Sequence, residues 1–97
     1  MHIVDTERET GIEDYLVKRV TRAGGEVRKV QWIGRRGAPD RLVLFPEGWI
    51  YWVELKRPGK DAEAHQKREH RRLRDMDQIV LVIDTRDKVD MLCDKHL

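Results

Sequence analysis

Three residues, Pro46-Glu47-Gly48, constrain this chain more than any others. They separate two runs, residues 40–45 (Asp-Arg-Leu-Val-Leu-Phe) and 49–56 (Trp-Ile-Tyr-Trp-Val-Glu-Leu-Lys), that are rich in β-branched and aromatic side chains. A three-residue loop with Gly48 left-handed closes a β-hairpin, and that closure sets the register. Phe45 then faces Trp49, and counting back along both strands brings Asp40 opposite Glu54. Cross-strand neighbours lie about 4.5–5.5 Å apart. Strand side chains alternate, so Ile50, Trp52, Glu54 and Lys56 share one face, while Trp49, Tyr51, Val53 and Leu55 line the other. A two-residue turn would move the register by one and send Asp40 to the wrong face.

Two like charges placed directly opposite on a sheet repel each other. A bound cation offsets that repulsion, and hard Mg²⁺ prefers such oxygen ligands. Asp40, Glu54 and Lys56 converging on one point suit metal-assisted hydrolysis of a phosphodiester. The aromatic residues of the hairpin are read as core rather than as base-stacking platforms.

The rest of the chain supplies a frame for that hairpin. Thr6 to Ala23 reads as a helix, with Thr6 and Glu9 forming a capping box. Its apolar stripe is Ile12, Leu16, Val17, Val20 and Ala23, and Gly24-Gly25 ends it. Glu13 borders the stripe, and an ionised carboxylate there needs a partner, either a metal or an arginine. Residues 26–33 read as a strand, and Gly34-Arg35-Arg36-Gly37-Ala38-Pro39 as a loop able to approach phosphate. After Pro58-Gly59, Asp61 caps a helix running to about Asp75, with Ala62, Gln66 and Leu73 on its packed side. The apolar run 78–83 predicts a buried central strand, parallel to 49–56 and reached by a right-handed crossover. Thr85 caps a last helix to about Asp94 that turns Val89, Leu92 and Cys93 inward. The order α-β-β-β-α-β-α is an α/β fold, a mixed β-sheet flanked by helices.

Ninety-seven residues make one domain, 1–97, with a modest core. Net charge is +2, but residues 56–74 hold eight Lys/Arg against three acids, which points to a polyanion-facing segment. A single cysteine, Cys93, rules out an internal disulfide and fits a reducing, cytoplasmic setting. There is no apolar stretch near the roughly 20 residues of a membrane span, and Met-His-Ile-Val-Asp-Thr-Glu lacks the parts of a signal peptide, so the chain is not expected to be secreted. His2, His65, His70 and His96 lack ligand spacing and are read as surface residues, with no zinc expected.

Taken together, Glu13, Gly37-Ala38-Pro39-Asp40, Glu54-Leu55-Lys56 and Gln66 resemble the virus-type replication–repair nuclease (VRR-NUC) domain of the PD-(D/E)xK superfamily. The resemblance covers roughly residues 7–84 and implies a restriction-endonuclease-like fold and DNA cleavage with Mg²⁺ or Mn²⁺. It also implies roles. Asp40 and Glu54 would be the metal-binding carboxylates, completed by the backbone carbonyl of Leu55. Lys56 would orient or help deprotonate the attacking water. Glu13 would support a metal directly or through water, and Gln66 would position the lysine or the substrate. Stand-alone members resemble Holliday-junction resolvases, so a homodimer acting on branched DNA is expected, with linear, flap or nicked DNA as the alternative substrates. A nucleic-acid-binding module on the same fold is the non-enzymatic alternative. Arg35, Arg36, Lys60, Lys67, Arg68 and Arg71 are the expected DNA-contacting residues.

Overall fold

The structure is a computed structural model and describes residues 8–97. Thr6 and its capping box lie outside the described residues, as does His2. The elements follow the expected order: α1 (Glu9–Arg22), β1 (Glu26–Lys29), β2 (Arg41–Phe45), β3 (Trp49–Leu55), α2 (Ala64–Arg74), β4 (Val80–Ile83) and α3 (Arg86–Asp94). A single 3₁₀ turn, Pro46–Gly48, joins β2 to β3. Both Glu47 (φ 71°) and Gly48 (φ 85°) are left-handed there, and Phe45 pairs with Trp49 as the turn length requires. The antiparallel register continues through Val43–Tyr51 to Arg41–Val53.

The sheet order is β1-β2-β3-β4. β1, β2 and β3 are antiparallel, and β4 joins β3 in parallel through the α2 crossover. β4 is therefore an edge strand, not the central one expected from its apolar run. The run is apolar because α2 contacts β4 as well as α3 does; its outer edge stays open, and Ile79 just before it is 38% exposed.

Two boundaries also shift. β1 stops at Lys29 rather than Ile33. The Val30 N–H still bonds Asp40 O at 2.9 Å, but Trp32 Nε1 then donates to Pro39 O and Ile33 points into solvent. α2 starts at Ala64, three residues after Asp61, with Glu63 as its N-cap. Asp61 Oδ1 instead accepts the N–H of Ala62.

The core lies between the sheet and the α1/α3 pair. Ile12, Leu16 and Val20 at four-residue spacing meet Val43, Phe45, Tyr51, Val53, Leu55, Ile83, Val89, Leu92 and Cys93. Val17, expected on that stripe, is largely exposed. Each buried aliphatic side chain contributes about 1.5–3 kcal/mol relative to exposure. The turn from α1 into β1 needs a glycine for lack of room: a Cβ on Gly25 would stand 2.4 Å from Leu44 O. Tyr15 donates to Asp90 Oδ1 at 2.6 Å, and Arg19 pairs with Asp90 and Asp94, latching α1 to α3. Thr85 Oγ1 caps α3 by accepting the Lys88 N–H.

Two histidines read as surface residues are not. His70 is 1% exposed. The His96 ring stacks on Phe45 with centroids 4.0 Å apart, and its Nε2 is 2.6 Å from Tyr51 Oη. Beside this aromatic group, at the β4 edge, an open cleft of about 580 Å³ is lined by Trp49, Ile79, Leu81, Met91, Lys95 and His96 among others. Among the described residues no helix is long and apolar enough to cross a membrane.

Candidate active site

The hairpin register carries the site. Arg41 pairs with Val53, so the next pair outward is Asp40 with Glu54. Val53 and Leu55 point into the core, and Glu54 between them points to the α2 side of the sheet. Lys56 follows on the Glu54 face, its backbone N–H held by Ile83 O at 2.9 Å. Glu54 is 8% exposed, while the Asp40 side chain is 60% exposed. One carboxylate is thus sunk in the fold and the other faces solvent.

Burial pushes the Glu54 carboxyl up to about 7. Lys56 pulls it down, Asp40 and Glu9 add to the rise, and Arg41 opposes them. Its hydrogen-bonding partner is His70, whose Nε2 is 3.3 Å from Glu54 Oε1. Burial lowers the pKa of His70 below the usual histidine value, helped by Arg74 and Lys56, which favours a neutral ring.

Glu13 is held by an arginine. Arg41 Nε donates to Glu13 Oε2 at 2.6 Å, and Arg41 Nη1 lies 2.8 Å from Asp40 Oδ1. The arginine reaches Glu13 because Arg41, paired with Val53, lies on the α1 side of the sheet, within reach of the helix. Arg41 thereby ties Glu13 to Asp40.

Among the described residues no three His, Cys, Asp or Glu side chains are grouped so as to hold an ion. A metal held between Asp40 and Glu54 would need further oxygen donors from the backbone or from water. That donor set is all oxygen, and burial disfavours an ionised Glu54 that has no cation beside it. All-oxygen donors suit a hard divalent cation.

The approach to Asp40 is built from the 34–39 loop and α2. Gly37 is left-handed (φ 85°), and a Cβ there would meet His65 O at 2.9 Å, so the loop lies directly on the helix. Arg35 donates to the buried Glu69 at 2.9 and 3.2 Å, and Arg72 joins it at 2.6 Å. Hydrogen bonds from Arg72 and Arg35 hold the Glu69 carboxyl down to about 2. A groove of about 590 Å³ beside Asp40 is bordered by Lys29, Gln31, Trp32, Arg35 and Arg41. Trp32 packs against Trp52 with centroids 4.9 Å apart.

Gln66 is half-buried on α2, and its Oε1 accepts the Glu63 N–H at 2.8 Å, so it takes part in capping that helix. Lys67 pairs with Asp61 at 3.2 Å. Arg36, Lys60, Arg68 and Arg71 are exposed. Two of the expected DNA-contacting residues are thus engaged, Arg35 with Glu69 and Lys67 with Asp61.

Three residues beside this site were not assigned to it from the sequence: His70, taken as a surface residue, Arg41 and Glu69. Helical spacing carries a signal for the first, since His70 follows Gln66 by four and falls on the stripe of Ala62 and Leu73.

No family model matches the chain. "Putative nuclease p44" of Acyrthosiphon pisum secondary endosymbiont phage 1 is 45% identical over 85 residues, 88% of this chain and 91% of that protein. A solved VRR_NUC domain is similar at 38% identity with a TM-score of 0.82, over 92% of this chain and 97% of that one.

Proposed function

The chain belongs to the VRR_NUC domain family of nucleases, and from that premise we propose that it is a metal-dependent PD-(D/E)xK endonuclease selective for branched DNA such as Holliday junctions. The observation that carries the chemistry is the hairpin register from Phe45–Trp49 to Arg41–Val53; extended by one residue it sets Asp40 opposite Glu54, with Lys56 on the same face.

Mg²⁺ or Mn²⁺, when bound, polarises the scissile phosphate and acidifies a coordinated water. Asp40, Glu54 and the Leu55 carbonyl would hold the ion. Asp40, open to solvent, meets the substrate side; Glu54, buried, anchors the protein side. Lys56 orients the attacking water and accepts or shares its proton. Glu13 supports the site through Arg41, which positions Asp40. Gln66, besides capping α2, lies one helical turn before His70 and positions Lys56 or the substrate.

Arg36, Lys60, Lys67, Arg68 and Arg71 would contact phosphates without reading sequence, with Arg35 shaping the loop through Glu69. A junction with two-fold symmetry presents two equivalent strands, and a homodimer places one site on each. The buried single thiol fits a reducing cytoplasm.

The test is cleavage of a labelled four-way junction with Mg²⁺ or Mn²⁺, beside its linear, flap and nicked components, together with the light-scattering mass. Paired incisions in the junction by a dimer are expected. Equal cleavage of linear arms would move the substrate to the alternative class. Binding without turnover at catalytic enzyme concentration would make the chain a binding module.

A further inference from the structure

His70 is the one histidine buried to 1% exposure, and it is buried against a carboxylate. It sits on α2, where Leu73, three residues on, is also buried. Packing alone does not call for an imidazole there. A buried polar ring costs free energy unless it is hydrogen-bonded, and an aliphatic side chain would fill the stripe without that cost. The ring's hydrogen-bonding partner is Glu54 Oε1, 3.3 Å from its Nε2.

We propose that His70 is a positioning residue: its Nε2–H donates to Glu54 Oε1 and turns the second carboxylate oxygen toward the ion site beside Asp40. Glu54 reaches its place through three rotatable bonds, and its neighbours on β3, Val53 and Leu55, point the other way into the core. Without a fixed donor the carboxylate would lose rotamer freedom on binding an ion, and affinity would fall accordingly. Hydrogen bonds to ligating carboxylates orient them in this manner in metal sites generally. His70 touches neither substrate nor metal in this scheme; it acts through Glu54.

This inference rests on the metal-dependent reading, so the experiment separates the two. Mn²⁺ alone is titrated calorimetrically into the full chain, its His70→Phe variant and its His70→Gln variant, with circular dichroism and melting to establish folding. His70→Phe keeps the ring volume and removes the donor. In His70→Gln the amide nitrogen reaches the position of Nε2. The phenylalanine variant is expected to bind Mn²⁺ about 10- to 100-fold more weakly, with glutamine restoring most of the loss. Wild-type affinity in a folded His70→Phe protein overturns the positioning role and leaves the metal reading intact. Equal loss in both variants also overturns it, because then shape and not the donated proton matters. Absence of Mn²⁺ binding by the wild-type chain overturns the metal reading and this inference with it. If His70→Phe does not fold, His70→Asn takes its place: its shorter amide stops near Nδ1, and binding equal to that of His70→Gln overturns the proposal.

Discussion

Arg41 Nε donates to Glu13 Oε2 at 2.6 Å, so the first helix is fastened to the strand that begins at the open carboxylate. Arg41 is 9% exposed, and removing its partner leaves a largely desolvated guanidinium with Asp40 alone. Glu13→Gln is expected to lower stability by about 1–3 kcal/mol. Urea unfolding reads the effect directly; an unchanged midpoint would show that the pair contributes nothing.

Asp40→Ala and Lys56→Ala should each reduce cleavage by about 100-fold or more. Both residues lie at the rim of the sheet and outside the hydrophobic core, so melting should change little. A variant cleaving at the wild-type rate would remove that residue from the mechanism.

Glu54 gives the metal-free protein a specific pH response. Its carboxyl is raised to about 7 in the fold, against an unfolded value of about 4.3. Its contribution to stability is therefore fully present below the unfolded value and is lost as pH rises to 7 and beyond. His70 works in the opposite sense: its value is lowered, so its contribution is present above the unfolded value and is lost as pH falls. Comparing Glu54→Gln with wild type isolates the carboxylate. Without metal, the glutamine variant should be more stable at pH 8, by up to about 3 kcal/mol, with the difference vanishing near pH 4. A constant difference across that range would rule out the buried carboxyl as its source.

The same titration couples to the ion. Mn²⁺ binding requires ionised Glu54, so below pH 7 one proton is released per ion and affinity climbs with pH, levelling above it. Calorimetry in buffers of different ionisation enthalpy measures that proton. Release at pH 6 that does not diminish at pH 8.5 would assign it to another group.

Gly37→Ala places a Cβ 2.9 Å from the His65 carbonyl and forces alanine to φ 85°. The strain is about 1–3 kcal/mol. Because the loop leads into Asp40, cleavage should fall together with stability. Gly34→Ala is the control: that residue is also left-handed, but nothing lies within 4 Å of the added Cβ. Equal losses in both would trace the effect to backbone conformation rather than to contact with α2.

If Arg68 and Arg71 meet phosphates, replacing both with alanine should weaken DNA binding uniformly across sequences. The salt slope should shrink by about 0.9 for each phosphate contact removed from duplex DNA. A salt-insensitive wild-type interaction would count against an electrostatic path along α2.

The hairpin was legible because a turn of known length is a local property, and it alone determines which residues face each other. Asp40, Glu54 and Lys56 came together on that basis. The place of β4 was not legible: an apolar run shows that both faces are covered, and covered faces occur at an edge as well as in the middle of a sheet. Arg41 and His70 were missed for a related reason. Each is a polar residue whose meaning depends on what a distant element brings to it, Glu13 from α1 in one case and Glu54 from β3 in the other.

Cys93 is fully buried on the inner face of α3, and burial raises its thiol above the usual cysteine range. It is the chain's only sulfhydryl, so in the folded protein it should be nearly silent toward alkylating dyes. A cysteine introduced at Met91, which is 65% exposed on the wall of the β4-edge cleft, would then carry a fluorophore alone. The fold thus provides a clean spectroscopic background against which one labelled surface position can be followed in solution.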